Sequence, residues 1–375
     1  MKEFGEKKGR GEEEETRRVG DAATRREKLF SSCFFSASPR PRVPASLPLP
    51  LFPLILIFAL LSSCTREMRG PLAFVSNERD GTITIINTAT NRVVSTIQVG
   101  ARARGIHLSP DNSHLFVALS YPTNSRRGED KIAEIDVASG SVIAKYDAGT
   151  DPENFIISAD GARLYIANED AGTASVTDMK TNHVVATMVV GFEPEGVALS
   201  PDGRWIYVTS ETNSMVSVID AQSNKVIKTF LVDARPREAA FSPDGAWAYV
   251  SAENGGTVSV VDVKSHTVVD RIQIPGNGEQ PAKPKGVVVS PDGKTVYVAT
   301  GRANSVAVID AASRKVLAMI AVGERPWGIA ITPDGRRLYT ANGISNDISV
   351  IDTATNKVIS TIRAGDGPWG VVIRP

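Results

Sequence analysis

Residues 194–230 read PEGVALSPDGRWIYVTSETNSMVSVIDAQSNKVIKTF, and the way this stretch is built and repeated decides the fold. Four short segments rich in β-branched and aromatic residues stand in it, over 196–200, 205–209, 215–219 and 225–230. Such side chains suit a pleated, half-buried surface, and the S-P-D-G and D-x-x-x-N-K links between them carry tight-turn chemistry. The unit recurs along the chain. An apolar residue followed by Asp or Asn returns with its polar residue at Asn87, Asp136, Asp178, Asp220, Asp262, Asp310 and Asp352, at intervals of 49, 42, 42, 42, 48 and 42. The Asp of the S-P-D-G turn keeps the same spacing at Asp111, Asp160, Asp202, Asp244, Asp292 and Asp334.

Four antiparallel strands in a unit of about 42 residues predict a propeller blade. The repeats open on a second strand, 72–76, and close on a first strand, 369–373, so the two ends must share one blade. The expectation is an all-β, seven-bladed β-propeller with four-stranded antiparallel blades over 71–375, closed by the C-terminal strand completing the N-terminal blade. Closure removes the unpaired sheet edges that invite aggregation.

The first 70 residues differ. Residues 1–45 carry charge runs such as Glu12 to Glu15 and no apolar period, and are expected to be a disordered extension or a mis-assigned start. An apolar run, Leu54 to Leu61, then precedes Leu61-Ser62-Ser63-Cys64. Its length of roughly 12 Å is far short of a bilayer core. Basic residues, an apolar core and small residues in that order predict a signal peptide over 46–64. The Cys64 context resembles the lipobox of bacterial lipoproteins, which implies lipidation of Cys64, a linker over 65–70, and an exported protein whose only hold on the membrane is its lipid. The formal charge of zero over 375 residues divides accordingly: 1–45 holds 11 Lys+Arg and 8 Asp+Glu, leaving the rest mildly acidic. No basic face for nucleic acid is implied.

The strand-two endings Tyr207-Val-Thr-Ser210, Tyr165-Ile-Ala-Asn168, Tyr339-Thr-Ala-Asn342 and Phe74-Val-Ser-Asn77 resemble the YVTN family of bacterial and archaeal β-propeller repeats. Pro194-Glu-Gly196, Ser210-Glu-Thr-Asn213 and Pro368-Trp-Gly370 are similar to the β-propeller family associated with PQQ-dependent catabolism. That resemblance implies export and a place beside quinoprotein alcohol oxidation, and it supplies no catalytic residues.

Function in repeat scaffolds concentrates where loops vary. Two loops depart from the repeat length, 120–130 between strands two and three, and 275–284 between strand four and the next strand one, and both belong to one face. On that face a position just before strand one recurs at Arg104, Glu153, Glu195, Arg237, Lys285, Trp327 and Trp369, after Pro in six of seven cases. Strand one is innermost, so these side chains are expected to surround a mouth of the central channel as a ligand site. The tryptophans would stack on a planar or apolar ligand, with Arg237 and Lys285 taking an anion. The bland alternative leaves them as solvent-facing turn residues. A second ring, Glu78, Glu169, Glu211 and Glu253, would either form an acidic arc for a cation or basic partner or pair with the first ring's Arg and Lys.

Other chemistry is missing. The four histidines, 107, 114, 183 and 266, are isolated, with His183 and His266 expected as solvated turn residues. No H-x-x-x-H metal spacing, nucleophile elbow or phosphate loop occurs, and with Cys33 and Cys64 alone neither C-x-x-C nor C-x-x-C-H exists. No metal and no cofactor is expected, PQQ included. The reading is an exported, non-catalytic binding propeller whose partner is an unidentified small molecule or periplasmic protein. Alternatives are a lactonase-like hydrolase using Glu153, Glu195 and Arg237 without a suitably placed His, or a structural surface-layer module.

Overall fold

The computed structural model describes residues 70–121, 130–278 and 280–375. The expected extension, signal peptide, linker up to residue 69 and Cys64 lie outside them, as does most of the 120–130 loop. Twenty-eight strands form seven four-stranded antiparallel sheets among the described residues. One blade shows the pattern: β12 (Pro194–Leu199), β13 (Trp205–Ser210), β14 (Met215–Asp220) and β15 (Lys225–Leu231) pair in chain order. The closing blade is ordered β28-β1-β2-β3, with β28 (Pro368–Arg374) against β1 (Leu72–Asn77), then β2 (Thr82–Asn87) and β3 (Arg92–Gln98). Leu72 pairs with Arg374 and Phe74 with Val372, so the two ends of the repeat region share one sheet as the periodicity requires.

The turns follow from their side chains. Asp202 accepts from Ser200 Oγ at 2.5 Å and from the Arg204 N–H at 3.1 Å, and Gly203 takes φ 72 to complete the reversal. Asp220 accepts from the N–H and hydroxyl of Ser223, both at 2.8 Å, and Asn224 supplies the left-handed residue at φ 52. These hydrogen bonds favour the charged forms and hold both carboxyls below the usual aspartate range.

Strand two carries the core. Tyr207, Tyr249, Tyr339, Phe74 and Phe116 are among the largest fully buried side chains. The tyrosines also tie blades together, since each hydroxyl needs a partner once the ring is buried. Tyr165 donates to the Ala221 carbonyl at 3.2 Å and Tyr339 to Asn91 Oδ1 at 3.2 Å, the latter joining residues 248 apart. Tyr207 meets His266 Nδ1 at 2.7 Å. His266 is therefore not the solvated turn residue expected: it is buried, edge-on to Trp205 at 4.9 Å, and burial lowers its pKa. His183, at the equivalent turn, is exposed.

Candidate functional site at the channel mouth

Each innermost strand begins with a β-bulge. The pairing of β12 with β13 jumps from Pro194↔Ser210 to Val197↔Val208, leaving Glu195 and Gly196 outside the ladder. The same jump follows Pro152, Pro236, Pro284 and Pro326. A bulge bends the strand and redirects a side chain, which turns the P-x-G motif into a device that aims residue x at the mouth. Strand-two hydroxyls pin it: Thr209 Oγ1 accepts from the Gly196 N–H at 2.8 Å and donates to the Arg237 carbonyl of the next blade at 2.9 Å. Ser76 Oγ links Gly370 and Arg104 the same way, at 3.0 and 2.6 Å.

Five of the seven ring residues are not solvent-facing. Arg104, Glu153, Glu195, Arg237 and Lys285 are all buried, while Trp327 and Trp369 are partly exposed. All four residues of the second ring pair with cations of the first. Arg104 lies 3.2 Å from Glu78 and 3.7 Å from Glu169, and also contacts Asp151 at 3.1 Å and Glu153 more closely. Arg237 binds Glu195 and Glu253 at 2.6 Å each, together with Glu211. Arg102 and Arg235 add outer contacts at 2.6 Å to Glu78 and 2.5 Å to Glu211. Asp151, Glu153 and Glu169 bring three oxygens within 4.8 Å of one another, a spacing open to a metal, but the Arg104 guanidinium contacts all three and takes the cation's place.

The carboxylates outnumber the cations around Arg104, and burial there disfavours the charged form of a carboxyl. Burial, with Glu195 nearby, raises Glu153 well above the usual range. Burial and a shared hydrogen bond with Glu195 push Glu211 up to about 8. Burial would raise Glu253 too, but Lys285 and Arg237 pull it down to about 2. Burial and the neighbouring Arg237 lower Lys285 to about 8. With Arg237 enclosed by three carboxylates, it is not the open anion receptor that the sequence suggested.

What stays available is aromatic. Trp327 and Trp369 lie 5.8 Å apart at 34°, with Lys285 Nζ 3.6 Å and the Arg325 guanidinium 5.0 Å from the Trp327 ring centre. Both tryptophans border a cavity of about 240 Å³ at the mouth and a smaller one of about 70 Å³ deeper in the channel.

The deeper cavity holds groups that the sequence reading passed over: His107, Asn154 and Glu238. Asn154 and Glu238 replace the glycine of P-x-G in two blades, a visible break in the motif. His107 Nε2 lies 3.0 Å from Asn154 Oδ1, and burial lowers its pKa. Burial also raises Glu238 to about 7, against a Val287 N–H that favours its charge and with Glu195 that does not. A histidine thus does line the channel cavity that Glu195 and Arg237 also border, contrary to expectation.

Two family descriptions match parts of the chain: "Lactonase, 7-bladed beta-propeller" over residues 232–364 and "Cytochrome D1 heme domain" over residues 124–239. Fold and matches together define a seven-bladed β-propeller similar to the lactonase and cytochrome D1 families. No curated protein matches the chain significantly. Among solved structures, the periplasmic gluconolactonase of Pseudomonas aeruginosa is similar with 19% identity and a TM-score of 0.69, covering 81% of this chain and 99% of that one. A protein from Lactobacillus plantarum aligns with 16% identity, a TM-score of 0.70 and coverage of 82% and 99%. Kuenenia stuttgartiensis hydrazine synthase gives 23% identity, a TM-score of 0.62 and coverage of 72% and 88%. At these identities the likeness is one of fold. Within the part that matches the cytochrome D1 description, the one histidine is the exposed His183 on the tight-turn face.

Proposed function

We propose that this protein is an exported, lipid-anchored, non-catalytic propeller that binds a small planar molecule at its channel mouth, accessory to a periplasmic quinoprotein oxidation pathway. The observation that carries the binding reading is the Trp327–Trp369 pair, partly exposed above Lys285 while the ring's charges are spent on one another. An aromatic face gives a planar ligand contact area with little entropy to lose. The Lys285 ammonium and Arg325 guanidinium behind it favour a ligand with a negative edge. Export, the lipid on Cys64 and the oxidation pathway rest on the resemblance in sequence. Titration with 1-naphthoate, a planar aromatic carboxylate, tests the site: saturable quenching of tryptophan fluorescence is expected, with affinity at least tenfold weaker in Trp369→Ala. No saturable quenching in the wild-type protein would overturn it.

A second reading, hydrolysis of a sugar lactone, is favoured by the lactonase match over 232–364 and by His107 and Glu238 lining one cavity in the channel. Glu238, with a pKa near 7, suits general acid or base work at neutral pH. Turnover of gluconolactone above its spontaneous rate, abolished in Glu238→Gln, would establish this reading over the first.

A further inference from the structure

The link between β19 (Thr267–Gln273) and β20 (Pro284–Val289) spans ten residues, 274–283, where that between β15 and β16 (Pro236–Phe241) spans four. The extra length is folded with care. Asn277 and Gln280 form an antiparallel bridge, and Gly278 takes φ 70. A Cβ on Gly276 would lie 2.0 Å from the Gln280 carbonyl oxygen, so only glycine fits there. Asn277 Nδ2 donates to the Ala303 carbonyl at 2.8 Å, and the Gly301 N–H donates to the Lys283 carbonyl at 2.9 Å, which clasps the loop onto the connection at 301–304.

Beside this loop lies a cavity of about 550 Å³, more than twice the volume at the mouth. Among the described residues, four cationic side chains, Lys283, Lys285, Arg302 and Arg325, line it against two carboxylates, Glu253 and Glu324. Glu253 is already engaged by Arg237, Arg235 and Lys285. Lys283 is bonded to the neutral Asn254 Oδ1, and neither it nor Arg302 has a carboxylate partner among the described residues. Lys285, only 3% exposed, runs its stem along Gly301, and its Nζ sits 3.1 Å from Glu253 without a well-aligned hydrogen bond. A buried ammonium with unmet N–H groups is costly unless something completes its shell.

We propose that this cavity is a second binding site, taking a small organic anion whose carboxylate or phosphate is held by Lys283, Arg302 and Arg325 with Lys285 at its floor. The volume is that of a small-molecule site. Arginine forks clamp either group in two-point contacts, and the long loop exists to close the cavity's wall. The site shares Lys285 and Arg325 with the mouth but does not depend on stacking against Trp369, so a variant at Trp369 tells the two apart.

Isothermal titration at low ionic strength tests it, with citrate as the carboxylate probe and inorganic pyrophosphate as the phosphate probe. One saturable site is expected for at least one probe, weakening with added salt. Affinity should drop at least tenfold in Lys283→Ala/Arg302→Ala and stay unchanged in Trp369→Ala. Tighter citrate binding assigns a carboxylate ligand, and tighter pyrophosphate binding a phosphate. Arg302→Ala alone, at an exposed side chain, serves as the variant least able to disturb folding. Saturation by neither probe, or equal affinity in the wild type and these variants, would overturn the proposal.

Discussion

Five innermost strands carry glycine after the ring residue, at 105, 196, 286, 328 and 370, and two carry Asn154 and Glu238. Crowding around the axis explains the glycines: a Cβ on Gly196 would lie 2.3 Å from the Arg237 carbonyl oxygen and one on Gly328 2.5 Å from that of Trp369. Where a side chain does occur, it lines the small channel cavity, and the one that titrates, Glu238, is shifted by its burial. Glu238 in the folded protein has a pKa of about 7, against roughly 4.3 for an unfolded glutamate. Between those values the folded state binds the extra proton. The stability this contributes is complete below about pH 4 and is lost as pH rises through 7. Urea denaturation should therefore show Glu238→Gln more stable than wild type at pH 8, by at most about 4 kcal/mol, with the difference vanishing near pH 4. A constant difference across that range would contradict the assignment. The chemistry here was half legible. P-x-G marked the ring, and its breaks at Asn154 and Glu238 were on view, but a single sequence does not show that the neighbouring strands leave them only a narrow cavity.

At the scale of the element, the bulge opening each inner strand does two jobs: it aims residue x inward and lets the next blade approach. Gly286 is one such case, since a Cβ there would lie 2.5 Å from the Trp327 carbonyl oxygen and 3.3 Å from Glu238 Oε2. Its neighbour is backbone and cannot swing aside. Gly286→Ala should cost about 2 kcal/mol or more, in line with overpacking of a fixed site. Gly278→Ala, at φ 70 with nothing within 4 Å, should cost only about 1 kcal/mol of backbone strain. Chemical denaturation of both variants separates close packing from local conformation, and an equal cost would refute the difference. Strand bounds were readable to within a residue or two because the alternation and the S-P-D-G turns repeat. The pairing of Arg104 with Glu153 and of Arg237 with Glu195 was not, because it joins residues 49 and 42 apart that only ring geometry makes neighbours. His266 escaped for a similar reason: its partner, Tyr207, lies 59 residues away in the preceding blade.

Over the whole molecule, seven sheets become one ring through β28, and further contacts reinforce the seam. Arg79 pairs with Asp366 at 2.7 Å and Tyr339 reaches Asn91. Each sheet packs against the next around the ring, so a ring has no terminal repeat to cap. Truncation after Gly367 removes β28, exposes β1 as an edge and should lower the melting temperature by about 10 °C or more. An unchanged melting temperature would show that closure carries no stability. Counting strands from the repeat was enough to foresee this seam, because the ends supply complementary parts of one blade.

The ring's charges, buried and, Lys285 apart, satisfied by one another, hold the mouth in shape, whereas the tryptophan pair is what we propose it offers to a ligand. Parallel measurement of 1-naphthoate affinity and melting temperature in Trp327→Ala/Trp369→Ala tests this most directly. Affinity is expected to fall beyond detection with the cooperative melt retained. Undiminished affinity in the double variant would contradict it.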